Sequence, residues 1–133
     1  MQHYTGKTLG YDKVKQILIE LCETTIGKEN AKDMEPFPNI NAMRSALAET
    51  SEMVDFIRLE RKLNFHDLVD ISDILTEVRV ATTVLNPDEL LPIGQTASVS
   101  ATIRYQLRSS ELEIPLLKQI ANRIANLSFL AER

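Results

Sequence analysis

Apolar side chains recur along this chain at steps of three and four residues, the spacing of one face of an α-helix. The first such stripe consists of Val14, Ile17, Leu18 and Leu21, and charged residues lie beside it. The one β-branched run, residues 80–85, is a single short segment and does not make a sheet. We therefore predict an all-α fold, an irregular helical bundle of about five or six helices.

Local start and stop signals predict the first two helices. The first is expected over about residues 11–23, and the hydroxyl of Thr24 or Thr25 is expected to cap the second. The second helix ends before Pro36 and Pro38, because proline lacks a backbone donor and disfavours helix in the residue before it.

The third predicted helix is the longest. It begins at Asn39 or Asn41 and reaches about Arg61, which corresponds to roughly 30 Å at ~1.5 Å per residue. Its apolar stripe consists of Met43, Leu47, Val54 and Ile57. We expect a helix of this length to act as a structural spine.

The start signals of the second half are of unequal strength. Asp67 is expected to cap a fourth helix, whose buried face consists of Leu68, Ile71, Leu75 and Val78. The clearest signal is Asn-Pro-Asp-Glu at residues 86–89, which is close to a capping box and opens a fifth helix.

Two features of the fifth and last helices carry further expectations. Pro92 lies past the first turn and predicts a bend or local unwinding, and the small residues from Gly94 to Thr102 predict a close approach by another helix. The final helix begins near Pro115, and its apolar residues are Leu116, Leu117, Ile120, Ile124 and Leu127.

Composition predicts one helical domain over residues 1–133. The hydrophobic content of 44% is ordinary for a globular protein, and 133 residues is a common domain size. The sequence shows neither an apolar signal-peptide core nor an apolar run long enough to span a membrane. The single cysteine, Cys22, cannot form an internal disulfide and is expected to fill core space, so we expect a cytoplasmic protein.

Basic charge is concentrated near the carboxyl end. Residues 101–133 carry five basic and three acidic groups, although the whole chain has a net charge of −4. Clustered lysine and arginine neutralise phosphates, so the candidate nucleic-acid-facing residues are Arg104, Arg108, Lys118 and Arg123. The alternative is that these side chains simply form a solvated helix face.

Partial catalytic motifs occur, and each has a simpler structural interpretation. Gly6-Lys7-Thr8 resembles the end of a phosphate-binding loop but lacks the upstream glycine and strand, and Gly27 of Gly27-Lys28-Glu29 is expected to allow close packing. The three aspartates at positions 67, 70 and 73 could approach a cation, but stabilisation of a helix N-terminus is favoured because no further ligand cluster is visible. His66 could act with these aspartates and Ser72 in a hydrolase, but a loop or capping role is favoured.

Several short segments together resemble the amino-terminal part of a known family. Three of them are Leu9-Gly10-Tyr11-Asp12-Lys13-Val14, Thr24-x-x-Gly27-Lys28-Glu29 and Leu47-x-x-Thr50-x-Glu52. They are followed by Asp67-Leu68-x-Asp70-Ile71 and Leu85-Asn86-Pro87-Asp88-Glu89-Leu90. In this order they resemble the start of the second bacterial MutS family, MutS-II, which comprises paralogues of the mismatch-repair sensor.

The resemblance implies the first part of the helical core, or lever, domain of a longer chain. The parent would be a dimeric ATPase that uses ATP and magnesium and acts on branched DNA or stalled ribosomes, with an endonuclease domain in many members. It implies no catalytic, cofactor-binding or metal-binding residue within residues 1–133. The expected partners are the remaining domains of the parent chain, a second copy, and DNA or the ribosome, but no membrane.

The last helix carries a related expectation. If later helices normally cover it, then its stripe of Leu117, Ile120, Ile124 and Leu127 would be exposed and could drive self-association. The alternative function is a stand-alone helical adaptor that binds a partner helix in a groove.

Overall fold

The computed structural model describes residues 10–59, 63–79 and 84–127. Within these ranges the chain forms six α-helices and no β-strand, which confirms the predicted all-α class. The helices are α1 Tyr11–Leu21, α2 Thr25–Asp33, α3 Ile40–Leu59, α4 Ser72–Val78, α5 Pro87–Ser109 and α6 Pro115–Arg123. They fall into two compact units that divide between Pro36 and Phe37. The expected single domain over residues 1–133 stays a prediction.

The first unit is the helix pair α1–α2, which pack against each other. Gly10 precedes α1 with φ of 69°, a left-handed conformation that glycine adopts without strain. Thr24 caps α2, as expected for one of the two threonines, and its Oγ1 accepts from Gly27 N at 3.0 Å. Tyr11 Oη donates to the carbonyl of Met34 at 3.2 Å and so ties the start of α1 to the end of α2.

Gly27 allows the close packing that the sequence predicts. A Cβ atom at this position would lie 2.9 Å from Thr24 Oγ1 and 3.6 Å from Cys22 Cβ. Any side chain would therefore clash with the hydroxyl that caps α2, whereas its distance to Cys22 would be an ordinary van der Waals contact.

The second unit contains α3 to α6, in which α6 packs against both α3 and α5. Its core is a cluster of buried side chains: Phe56, Leu63, Ile103, Leu107, Ile114, Leu117 and Ala121. Phe56, from α3, is only 1% exposed. The core therefore joins residues that are more than 60 positions apart in the sequence.

The expectation that α6 exposes its apolar stripe is wrong. Leu117 is only 2% exposed, and Ile120 and Ile124 pack against the core cluster. The residues that cover them come from α3 and α5, so the chain supplies its own partners for this helix. Leu127 lies beyond the end of α6 and is half-buried.

α5 begins as the sequence predicts. Asn86 Oδ1 accepts from Glu89 N at 3.0 Å, and Glu89 Oε2 accepts from Asn86 N at 2.8 Å, which completes a capping box. The helix then runs through Pro92 without a break, so the expected unwinding is absent from it. With 23 residues α5 is longer than the 20 described residues of α3, and α3 is therefore not the longest described helix.

One of the small residues after Pro92 contacts a segment outside any helix, and the close approach of another helix to this run stays a prediction. Thr96 Oγ1 donates to the carbonyl of Val69 at 3.1 Å and accepts from Val69 N at 3.3 Å. Ala97 beside it is buried. One hydroxyl thus satisfies both backbone groups of a residue outside any helix.

The fourth helix starts later than predicted. α4 begins at Ser72, and Asp67 lies in a turn closed by a hydrogen bond from Leu68 N to the carbonyl of Phe65. Leu75 and Val78 are exposed in the structure, so they do not form the expected buried face. The run at residues 80–85 lies largely outside the described residues.

Candidate functional site

Two of the four candidate basic residues lie together on α5. Arg104 and Arg108 are one helical turn apart, and both line a depression of about 460 Å³ with Tyr105 and Asn126. Tyr105 is 72% exposed, so its ring is open to solvent. This surface combines two guanidinium groups with an aromatic side chain.

The two arginines differ in burial. Arg104 is half-buried, and its Nε atom is shielded from solvent and has no hydrogen-bond acceptor among the described residues. Arg108 is exposed in the last turn of α5, where a positive charge is favourable beside the free carbonyl groups of the helix end. Nucleic-acid contact by these residues stays a prediction, and the helix-end role of Arg108 is its structural alternative.

Lys118 and Arg123 lie elsewhere. Lys118 Nζ donates to the carbonyl of Leu112 at 3.2 Å and lines a second depression. Three carboxylates, from Glu52, Glu111 and Glu113, line the same depression and disfavour an approaching phosphate. Arg123 is exposed in the last turn of α6.

Glu52 caps α6 from another helix. Its Oε2 accepts from Leu117 N at 2.9 Å, and its Oε1 accepts from Leu116 N at 3.2 Å. Pro115 has no N–H, and Lys118 N already bonds to the carbonyl of Ile114, so this carboxylate satisfies the remaining first-turn donors. Ile114, the residue at the cap position, provides no side-chain acceptor. Glu52 therefore holds α3 and α6 in one arrangement.

The catalytic candidates of the sequence do not converge. His66 is exposed, and its backbone N–H bonds to Asn64 Oδ1 at 3.0 Å. Asp70 Oδ1 accepts from Ser72 N at 2.9 Å, and hydrogen bonds from the Ser72 side chain and backbone lower the pKa of this carboxyl. Among the described residues no three His, Cys, Asp or Glu side chains are placed to hold a metal ion. Gly6-Lys7-Thr8 lies outside the described residues.

Cys22 ends α1 as a free, half-buried thiol. Its Cβ and Sγ lie close to the position where Gly27 would carry a side chain. Cys22 does not belong to the buried core residues, so the predicted role of filling core space is not confirmed.

The sequence patterns predicted no role for Tyr105 or Glu52. Tyr105 directly follows Arg104, and an aromatic residue between two arginines was a usable signal. Glu52 is the last residue of the Leu47-x-x-Thr50-x-Glu52 segment, but its partners lie 64 and 65 positions away. No local pattern reveals a contact over that separation.

Comparisons with known proteins show that the chain is similar to part of a group of longer proteins. It is 32% identical to endonuclease MutS2 of Latilactobacillus sakei over 136 aligned residues, which is all of this chain and 17% of that protein. It is 31% identical to endonuclease MutS2 of Brevibacillus brevis and 30% to that of Pelotomaculum thermopropionicum, each over 96% of this chain. The chain is homologous to one segment of the MutS2 family.

The chain spans about one sixth of the length of the MutS2 proteins that it matches, consistent with the amino-terminal segment predicted from the sequence motifs. No protein-family model matches the chain, and no solved structure matches it. None of the helices in the described ranges is long and apolar enough to cross a membrane.

Proposed function

We propose that this segment is the amino-terminal lever part of a MutS-like ATPase and performs no reaction itself. The observation that carries the proposal is the match of the whole chain to a sixth of the MutS2 length. A segment of this kind would transmit changes in nucleotide state to the part of the protein that contacts nucleic acid. ATP and magnesium would bind in the remaining domains of the parent chain, in a cytoplasmic protein.

The contact between α3 and α6 supports a mechanical role. Glu52 fixes the start of α6 through two backbone donors, and Phe56, one turn later on α3, is buried in the core. A polar and an apolar anchor on adjacent turns restrain both sliding and rotation of the two helices. Motion of α3 would therefore be passed to α6.

The parent protein offers a direct test of this coupling. In the longer chain that carries this segment, Glu52→Ala should reduce the nucleotide-dependent change in affinity for branched DNA or for ribosomes at least threefold. Nucleotide binding itself should change less than twofold, because the ATP site lies elsewhere. Affinities measured with and without nucleotide would give both values. Glu49→Ala, an exposed carboxylate on the same helix, is the matched control.

Two outcomes would contradict the lever role. In the first, the Glu52→Ala protein keeps the full nucleotide-dependent change in affinity, although faster amide hydrogen exchange shows that α6 is less stable. The other is a reading frame that ends at Arg133, because the proposal requires a continuation that includes a Gly-x-x-x-x-Gly-Lys-Ser/Thr loop.

The adaptor function remains the second candidate, and the surface of α3 favours it. The apolar side chains of Met43, Leu47, Val54 and Ile57 are all exposed. A stand-alone chain ending at Arg133 that binds a partner helix through this surface would identify the adaptor.

A further inference from the structure

The exposed side of α3 has the residue spacing of a coiled-coil seam. Steps of three and four residues alternate without interruption along the positions Ile40, Met43, Leu47, Thr50, Val54 and Ile57. This alternation defines the a and d positions of a heptad repeat. Five of the six residues are large and apolar, and all six are exposed.

The seam is separate from the side of α3 that faces the core of its own unit. Phe56 and Met53 supply the core contacts, and Glu52 binds the start of α6. None of these three residues belongs to the seam. Leu47 is 56% exposed and Ile57 is 50% exposed, whereas Met43 and Val54 are each 39% exposed, so the α3–α6 unit leaves the seam only partly covered.

The seam is long enough to bind a helix specifically. From Ile40 to Ile57 it covers 17 steps, or about 25 Å at ~1.5 Å per residue. That length presents three layers of a and three of d positions to a partner. A contiguous row of exposed apolar side chains is typical of an interaction site.

Charge at the edge of the seam indicates what the partner carries. Arg44 and Arg58 directly follow Met43 and Ile57, which places them at e positions on the solvent side. Neither arginine forms a hydrogen bond or ion pair with another described residue. The g positions of these heptads carry no charge: Ala46 and Met53 lie in α3, and Asn39 directly precedes it.

A second copy of α3 would not complement these charges. In an antiparallel pair the arginines of one helix would face those of the other, and in a parallel pair they would face uncharged g positions. A helix with glutamate or aspartate at its flanking positions would instead pair with both arginines.

We propose that α3 binds an amphipathic α-helix with acidic flanking residues, and that the two helices pair along the seam as a two-stranded coiled coil. The partner helix belongs to a separate protein, so this inference does not depend on the lever role. The partner needs at least about 18 residues to cover the seam.

Two synthetic helical peptides of 21 residues test the proposal. Both carry apolar a and d positions; one has glutamate and the other lysine at every e and g position. Each peptide stays monomeric, because its like charges repel in a self-pair. Fluorescence anisotropy of the labelled peptides, titrated with the 133-residue chain, should show at least about tenfold tighter binding of the glutamate peptide.

Variants of the chain assign the binding to the seam. Leu47→Asp should raise the dissociation constant of the glutamate peptide at least tenfold. Ala48→Asp, next to it on the polar side, should change this dissociation constant less than twofold. The double variant Arg44→Glu and Arg58→Glu should reverse the preference and favour the lysine peptide. Circular dichroism confirms that each variant keeps its helical content, so lost binding is not lost folding.

Three results would overturn the proposal. Equal affinity for the two peptides would show that the arginines do not select an acidic partner. If neither peptide binds to the folded chain, the seam is not a binding site for a helix. A dimer in sedimentation velocity that Leu47→Asp dissociates would show that a second copy occupies the surface.

Discussion

Two helix starts in the second unit are stabilised in opposite ways. α5 caps itself, because Asn86 and Glu89 exchange hydrogen bonds within one turn. α6 depends on Glu52, which reaches its first turn from α3. Both arrangements satisfy the free backbone donors of a helix N-terminus, but only the second joins two helices. A capped helix start is therefore a local feature in one case and a tertiary contact in the other.

The largest loss of stability should occur when the tertiary cap of α6 is removed. Glu52→Ala should lower the free energy of unfolding by about 2 kcal/mol, because it leaves two part-buried donors without their charged acceptor. Urea denaturation followed by circular dichroism gives this value. Glu52→Gln, which keeps one acceptor oxygen, should lie between the wild type and the alanine variant. A loss no greater than that of the exposed control Glu49→Ala would show that the cap contributes nothing.

The local cap should matter less. Asn86→Ala should cost about 1 kcal/mol, the usual value for an N-cap, and Asn86→Asp should retain most of the stability. Amide hydrogen exchange should quicken at Glu89 and Leu90 while the amides of α6 keep their protection. A destabilisation larger than that of Glu52→Ala would reverse the comparison.

The smallest effect concerns the start of α4. Asp70 accepts hydrogen bonds from the side chain and backbone of Ser72, which hold the pKa of its carboxyl below the ordinary value of 3.8. Ser72→Ala removes the first of these and should raise the pKa of Asp70 toward that value. A carbon-detected NMR titration of the carboxyl measures the shift, and an unchanged pKa would show that the side-chain bond is not made in solution.

The sign of the pH dependence follows from that lowered pKa. A carboxyl whose pKa is lower in the folded than in the unfolded state stabilises the fold above the unfolded pKa. This stabilisation is lost as the pH falls through the folded pKa. The difference in stability between the wild type and Ser72→Ala should therefore be present at pH 7 and disappear in strong acid. A difference that is equal at both pH values would contradict the linkage.

The correct predictions depended on short-range chemistry. The all-α class, the Thr24 cap, the capping box at Asn86 and the packing role of Gly27 all follow from residues within one or two turns of each other. Several of the wrong predictions concerned which apolar face meets which neighbour, whereas the cap at Asp67 and the unwinding at Pro92 were wrong local predictions. Periodicity detected the stripes of α3 and α6 equally well, although Leu117 is buried and Leu47 is exposed.

The same division applies to the candidate site. Arg104 and Arg108 line the same depression because residues four positions apart lie on one face of a helix, and their contact with nucleic acid stays a prediction. The carboxylates around Lys118 come from different elements, and no local pattern indicated them.

By itself, the sequence determined where most helices begin, which residues share a helix face and which family the chain resembles. Only the tertiary structure decided that α6 is covered, that Glu52 caps it and that the seam of α3 stays open. The physical reason is one of range. Capping and helical periodicity act between residues a few positions apart, whereas burial depends on which of several similar apolar faces pack together once the chain has folded.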